Sequence, residues 1–355
     1  MWPFLLFLHA KLLIMKNEHY DAIIIGAGPA GLYTSWVLKK SGLKTIILEE
    51  HKEIGCPVQC SGLIPKPVEN FFPRGFFSDL IENEINKSFI TTPSGFRVEM
   101  LSKKPIAYVV NRGLFDKKIS EIASAEIAFD TKAESIKNQE KILVKTDNGI
   151  FHSDVLIGCD GPNSIVARHF GSAPKEMLKG LIAITNEKNS SDFVDSWFDK
   201  KITDGFFWKI PRGETTEYGM LGKNADFAVL EKFFGIKNYE KRAGMIPIGP
   251  GKTYFNRAIL IGDAAAQVKP WSGGGVHFGL TAATAAGQVL KKSFEQQNFT
   301  EAFLKQYETL WKKSIGKKIQ TGLFARRVFK KMSNFELEIF FRMLSPVEWL
   351  GIFEH

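Results

Sequence analysis

The sequence predicts an α/β protein in which a parallel, ligand-binding sheet is interleaved along the chain with an antiparallel sheet and followed by a helical C-terminal region. Three observations lead there. Residues 20 to 49 read as strand, glycine turn, helix, strand and acid; two later apolar runs, at 155 to 158 and 257 to 261, also stop in glycine and aspartate; and residues 173 to 250 break into short strand-like pieces separated by polar turns.

The first stretch organises the rest. Asp21-Ala22-Ile23-Ile24-Ile25 is a continuous, mostly β-branched run of the kind buried on both faces of a parallel sheet. Gly26, Gly28 and Gly31 follow as G-x-G-x-x-G. The first allows the tight turn, the second lets backbone approach a pyrophosphate, and the third lets the next helix pack on the strand. That helix, near residues 29 to 40, aims its N-terminal amides at the phosphates. Thr45-Ile46-Ile47-Leu48 then ends in Glu49, about 20 residues past the glycines, where an acceptor for ribose hydroxyls belongs. The unit is Rossmann-like, and dinucleotide binding is its expected consequence.

At 355 residues, with 44% hydrophobic and 24% charged residues, the chain is long enough for two interleaved subdomains and is not a disordered sequence. The net charge of +9 favours approach to anionic lipid or an acidic protein; nucleic acid is not an expected partner. Cys56, Cys60 and Cys159 are the only cysteines, so no disulfide framework is expected and a reducing cytoplasm suits the chain. The apolar run WPFLLFLHAKLLIM is too short to span a bilayer and lacks a small-residue cleavage site. Met15 behind it reads as the natural start, with a short membrane anchor as the alternative.

The expected division is an extension at 1–17; a dinucleotide-binding domain from 18–75, 105–172 and 250–295; a substrate domain from 76–104 and 173–249; and a helical region at 296–355. Residues 53 to 67, EIGCPVQCSGLIPKP, have no helical periodicity and form a loop. Tyr108-Val109-Val110 reads as a return to the nucleotide domain, followed by a helix from Leu114 to Ala123. The pieces at 180–185, 193–198, 205–210 and 217–221 read as antiparallel strands and 227–234 as a helix. In the C-terminal segment Arg326, Arg327, Lys330 and Lys331 stand among Phe324, Phe329, Phe340 and Phe341. That mixture suits either an anionic membrane surface or a helix packed over the substrate layer.

Three stations of glycine and acid thus end three buried strands: Gly26 to Gly31, Asp160-Gly161 and Gly262-Asp263. Ligands of open parallel sheets sit at such ends, and a long cofactor folded across the sheet fits better than one nicotinamide dinucleotide. Asp263 can accept from a ribityl hydroxyl, and the amides of residues 273 to 276 can face the pyrophosphate or a flavin edge.

These elements resemble the geranylgeranyl reductases, FAD flavoproteins with a p-hydroxybenzoate hydroxylase-like fold, and among them the archaeal-type digeranylgeranylglycerophospholipid reductases. The likeness rests on GAGPAG with Glu49, EIGCPVQCSGL at 53–63, NRGLFD at 111–116, CDGPNS at 159–164, DGFFWKIPRG at 204–213 and ILIGDAAAQVKPWSGGGVHFGL at 259–280. It implies FAD contacts at Ala30, Glu49, Cys60, Ser61, Arg112, Ala133, Asp263, Gly275 and Val276. It also implies an alkene site at Cys60, walled by Phe206, Phe207 and Trp208. Two positions depart from the pattern: Lys269-Pro270 replaces the usual Asn-Pro, and Cys60 is followed directly by Ser61-Gly62-Leu63 without an acidic residue.

The implied activity is saturation of C=C bonds in geranylgeranyl lipids. Hydride delivery to an isolated alkene needs a proton as well, and water must be kept from the developing cation. An aromatic-ring monooxygenase and an electron-transfer flavoprotein without an organic substrate are the alternatives. The chain has no second GxGxxG and no cysteine cluster for iron and sulfur, so an external donor, ferredoxin or reduced nicotinamide, is expected. Cys60 is read either as a proton donor or as a polarizable wall beside the flavin. Peripheral association with the cytoplasmic face of a membrane is expected.

Overall fold

The computed structural model describes residues 19–344. The expected extension at 1–17, Met15 and the last residues of the aromatic C-terminal segment lie outside the described residues.

A mixed sheet forms the centre of the nucleotide-binding part. Its parallel members are Ala258–Leu260, Gly149–Gly158, His19–Ile25, Thr45–Leu48 and Glu126–Ala128, in that spatial order. Ile25 lies opposite Gly158 on one side and Leu48 on the other, so the glycine turn emerges between two neighbouring strand ends. The period of two along the first strand divides the core. Ala22 and Ile24 face the helices Pro29–Lys39 and Val276–Glu295, whereas Ile23 and Ile25 join Leu48, Leu156 and Val166 on the opposite face. All four are essentially buried, which explains a run with no polar alternation. Fully burying each isoleucine contributes roughly 1.5–3 kcal/mol.

Gly31 sets how closely the first helix can approach. A Cβ there would meet the Gly26 carbonyl oxygen at 2.0 Å, and Gly26 has a φ of +98° with the Cys159 carbonyl oxygen 2.5 Å from the position of its own Cβ. Strand, turn and helix therefore tolerate no side chain at either position.

The second sheet has seven strands in the order Glu240–Ile248, Glu176–Thr185, Thr216–Gly222, Phe206–Pro211, Phe193–Trp197, Lys87–Thr91 and Arg97–Leu101. Most of its pairings are antiparallel, as expected, but Phe193–Trp197 and Lys87–Thr91 run parallel. A third, small sheet is formed where Ala107–Val110 pairs antiparallel with Leu63–Pro65 and Ile81–Ile85. Tyr108 and Val110 pack from it into the same core as Ala22 and Ile24 of the first strand.

The C-terminal helices Glu301–Trp311, Lys317–Lys331 and Asn334–Leu344 pack back over both larger sheets. Tyr307 and Trp311 are fully buried against the central sheet, while Leu337 and Phe341 cover Val98 and Phe198 of the second.

Candidate active site

Glu49 follows the strand Thr45–Leu48 and is buried. One carboxylate oxygen accepts from the Ala27 amide inside the glycine turn at 2.6 Å; the other accepts from the His51 amide at 2.9 Å and lies 2.6 Å from His51 Nδ1. The acid thus fixes the turn and keeps lone pairs for a ligand hydroxyl. Glu49 also accepts at its backbone carbonyl from Thr131, which brings the stretch leading to Ala133 alongside this end of the site. At Gly28 a Cβ would meet nothing within 4 Å, leaving open space over the amides that begin the helix.

The Gly262-Asp263 station stands beside this turn. Ala30 lies 3.1 Å from the position of a Cβ on Gly262, and Gly279 of the long helix packs on the same two residues. The turn Gly262–Ala265 is held from behind by a buried relay: the Gly262 amide donates to Gln267 at 2.8 Å, Gln267 donates to Tyr307 at 3.0 Å, and Tyr307 donates to the Leu260 carbonyl at 2.7 Å. Gly275, the N-cap of the helix Val276–Glu295, has no side chain, and a Cβ there would collide with Asp263 Oδ1 at 2.7 Å. Among the described residues the Asp263 carboxylate has no hydrogen-bond partner, and burial pushes it up to about 6 despite Arg112.

Arg112 opens the helix Arg112–Ala123 and is buried. Its Nη2 donates to both carboxylate oxygens of Asp116, at 2.9 and 3.0 Å, and its Nε is buried without a partner among the described residues. Burial works against its charge, but Asp116 and the neighbouring Cys60 thiol more than offset that. An unpaired buried guanidinium nitrogen, an unpaired carboxylate, an uncapped helix start and an open glycine turn converge here. That donor and acceptor set fits a flavin dinucleotide with its ribityl chain and pyrophosphate.

Cys60 and Ser61 lie in the loop before Leu63–Pro65. The Gly62 amide donates to Cys60 Sγ at 3.5 Å, and Gly62 packs on the Val110 carbonyl and the Arg112 side chain. Phe206 and Trp208 share one face of their strand, packed with Val268, Ile246 and Leu323. Phe207 points the other way. It is fully buried and stacks on Phe233 at 3.9 Å, so its expected place in the substrate wall is corrected to the core behind the sheet.

Sequence reading missed a second charged cluster. Arg212, 7% exposed, donates through Nη1 to the Ser61 carbonyl and to Glu217 at 3.0 Å, and through Nη2 to Glu82 at 2.6 Å. The Trp208 indole donates to the other oxygen of Glu217 at 2.9 Å. The Arg212 and Glu217 side chains meet through strand pairing, which no local motif announces; Asp116, four residues after Arg112, was legible in NRGLFD. His277 carries a pKa lowered to about 4 by burial, Lys269 and Lys318, so it has no imidazolium proton to offer at neutral pH. Among the described residues there is no metal-binding group of His, Cys, Asp and Glu, and no helix is long and apolar enough to cross a membrane.

Asp263 gives a pH-dependent prediction. Its folded-state pKa of about 6 exceeds its ordinary value of 3.8, so the stability it contributes is present below about 3.8 and lost as pH rises through 6. In the FAD-free protein, Asp263→Asn is therefore expected to raise stability at pH 7 by roughly 1–3 kcal/mol and to flatten the pH profile between 4 and 6. Denaturant melts of both proteins across that range check it; FAD affinity should fall in the same variant.

The FAD binding domain family matches residues 19–222. The digeranylgeranylglycerophospholipid reductase of Methanococcus vannielii is 30% identical over 90% of this chain and 89% of its own. The enzyme of that name from Methanocaldococcus jannaschii is 30% identical over 91% of this chain and 90% of its own. Among solved structures, a geranylgeranyl bacteriochlorophyll reductase-like protein from Thermoplasma acidophilum superposes with a TM-score of 0.86 at 23% identity, over 94% of each chain. The p-nitrophenol 4-monooxygenase of Pseudomonas putida shares the fold at a TM-score of 0.74 and 14% identity, over 95% of each chain.

Proposed function

Because the chain belongs to the FAD binding domain family and, within it, to the digeranylgeranylglycerophospholipid reductases, we propose that it is an FAD-dependent oxidoreductase that saturates C=C bonds of geranylgeranyl chains in isoprenoid membrane lipids. The observation that carries the reading is local. Arg112 touches both Asp116 and the Cys60 thiol and faces Asp263, so the cofactor residues and the loop expected beside the alkene belong to one site.

Reduced FAD supplies the hydride. The chain does the remainder: Glu49 and the glycine turn hold the adenosine end, Arg112 and the helix start at Gly275 and Val276 face the phosphates and flavin edge, and Asp263 accepts from the ribityl chain. Ala133 lines the adenosine end. Phe206 and Trp208 exclude water from the alkene, and Cys60 offers the proton that accompanies hydride addition. The electron donor is external, ferredoxin or a reduced nicotinamide. Lipid mass spectrometry of a host that makes geranylgeranyl lipids tests the reading: expression should shift those lipids to more saturated species, and an unchanged lipid profile with flavin-replete protein would refute it.

The enzyme also works, on this reading, at an anionic membrane surface on the cytoplasmic side. Phe329, Phe340 and Phe341 are committed to packing, and Arg326 and Lys330 to Glu176, but Phe324, Phe335 and Met343 are 65%, 74% and 72% exposed beside the exposed Arg327 and Lys331. Liposome sedimentation is expected to need anionic lipid, to weaken with salt, and to fall several-fold in Phe335→Glu. Equal binding to neutral vesicles at high salt would remove the electrostatic part.

A further inference from the structure

We propose that Arg212 is a positioning residue that fixes the Cys60-Ser61 segment relative to the indole of Trp208. The proposal rests on the reading of Cys60 and Trp208 as opposite borders of the alkene site. Four chain segments converge on this one guanidinium. It donates to the Ser61 carbonyl in the cysteine loop, to Glu82 of Ile81–Ile85 and to Glu217 of Thr216–Gly222, and approaches the Val110 carbonyl at 3.5 Å. The cysteine loop, the three-stranded sheet and the seven-stranded sheet are thereby tied to one rigid fork, which is the geometry a guanidinium holds better than an ammonium.

The tie to the indole is indirect and complete. Glu217, 0% exposed, accepts from Arg212 on one oxygen and from Trp208 Nε1 on the other. The indole has little freedom on its far side, since a Cβ on Gly219 would lie 1.8 Å from the ring. Trp208, Glu217, Arg212 and the Ser61 carbonyl form one unbroken chain, ending one residue from the thiol. The other side of the loop is seated on Gly244, where Gln59 backbone would come within 3.2 Å of an added Cβ. Charge alone does not explain the arrangement. A buried cation placed only to neutralise Glu217 would have no reason to reach the Ser61 carbonyl, and a cation placed only to close the loop would not need two carboxylates.

The consequence concerns geometry at the reacting atoms. Displacement of the thiol by about 1 Å lowers turnover by roughly 10- to 100-fold while leaving remote substrate contacts intact. The Arg212 guanidinium is taken up by the Ser61 and Val110 carbonyls, Glu82 and Glu217, so its loss should separate kcat from KM.

The test uses the flavin-replete full chain in a Cys56→Ser background, in which Cys60 is the reactive thiol and Cys159 is buried. Arg212→Gln and Arg212→Lys are compared for FAD content, for the rate of Cys60 alkylation by iodoacetamide, and for steady-state reduction of a geranylgeranyl lipid. Expected are full FAD content, several-fold faster alkylation, and a kcat loss of about 10- to 100-fold with KM within about twofold, Lys being milder than Gln. Glu217→Gln, which keeps an acceptor for Trp208, serves in the same way if Arg212→Gln does not fold. Wild-type alkylation and kcat in a flavin-replete variant would overturn the proposal. Faster alkylation with unchanged kcat would also overturn it, leaving Arg212 a fold-stabilising residue. The alkylation arm needs no lipid: failure of the wild-type protein to reduce geranylgeranyl lipid would refute the functional reading, whereas wild-type alkylation rates in the variants would overturn this proposal alone.

Discussion

Glu49→Arg is expected to yield colourless protein. The carboxylate holds the Ala27 amide of the glycine turn at 2.6 Å and the His51 amide at 2.9 Å, so reversing its charge sets a cation against both donors and removes the charged acceptor offered to a ribose hydroxyl. A hydrogen bond to a charged group contributes about 1.5–3 kcal/mol, so losing the one to ribose weakens FAD binding by roughly 10- to 10²-fold before repulsion and distortion of the turn are counted. The ratio of flavin to protein absorbance after gel filtration reads the effect, with titration of FAD into the apoprotein for the affinity. Glu49→Gln, which keeps one acceptor oxygen, should fall between. Full retention of FAD by Glu49→Arg would remove Glu49 from the ribose site.

The second large effect is expected at Cys60. If its thiol gives the proton, Cys60→Ala loses alkene reduction by about 10²- to 10⁴-fold, with normal FAD content and normal reduction of the flavin by dithionite. Cys60→Ser should retain part of the activity, because a hydroxyl can still relay a proton from water. The low pKa of His277 leaves it without an imidazolium proton at neutral pH, so a fully active Cys60→Ala would point to bound water.

How much of this was legible differs from residue to residue. The glycine turn, Glu49 and the Gly262-Asp263 station carry signals within a few positions of one another, because a tight turn at a strand end needs particular residue types. The helix starting near Pro29 and the strands at 193–197 and 206–211 followed from period and punctuation. Phe207 failed for a different reason. Its neighbours Phe206 and Trp208 are equally aromatic, and composition cannot say which face of a strand meets a ligand when both faces are buried. The sheet partners of Tyr108-Val109-Val110 were not legible either, since a sheet partner is a long-range fact. Arg212 went unnoticed because its four acceptors are spread from Ser61 to Glu217 and assemble only when a loop and two sheets meet.

The relay from the Gly262 amide through Gln267 to Tyr307 also sets an order in time. A nascent chain that has left the ribosome as far as residue 222 owns the glycine turn, Glu49, Cys60 and Arg112, yet lacks Asp263, Gly275 and the tyrosine that braces their turn. Such a chain has half a cradle. Flavin uptake is therefore expected to await the C-terminal helices, and a chain truncated after residue 222 should be purified without colour.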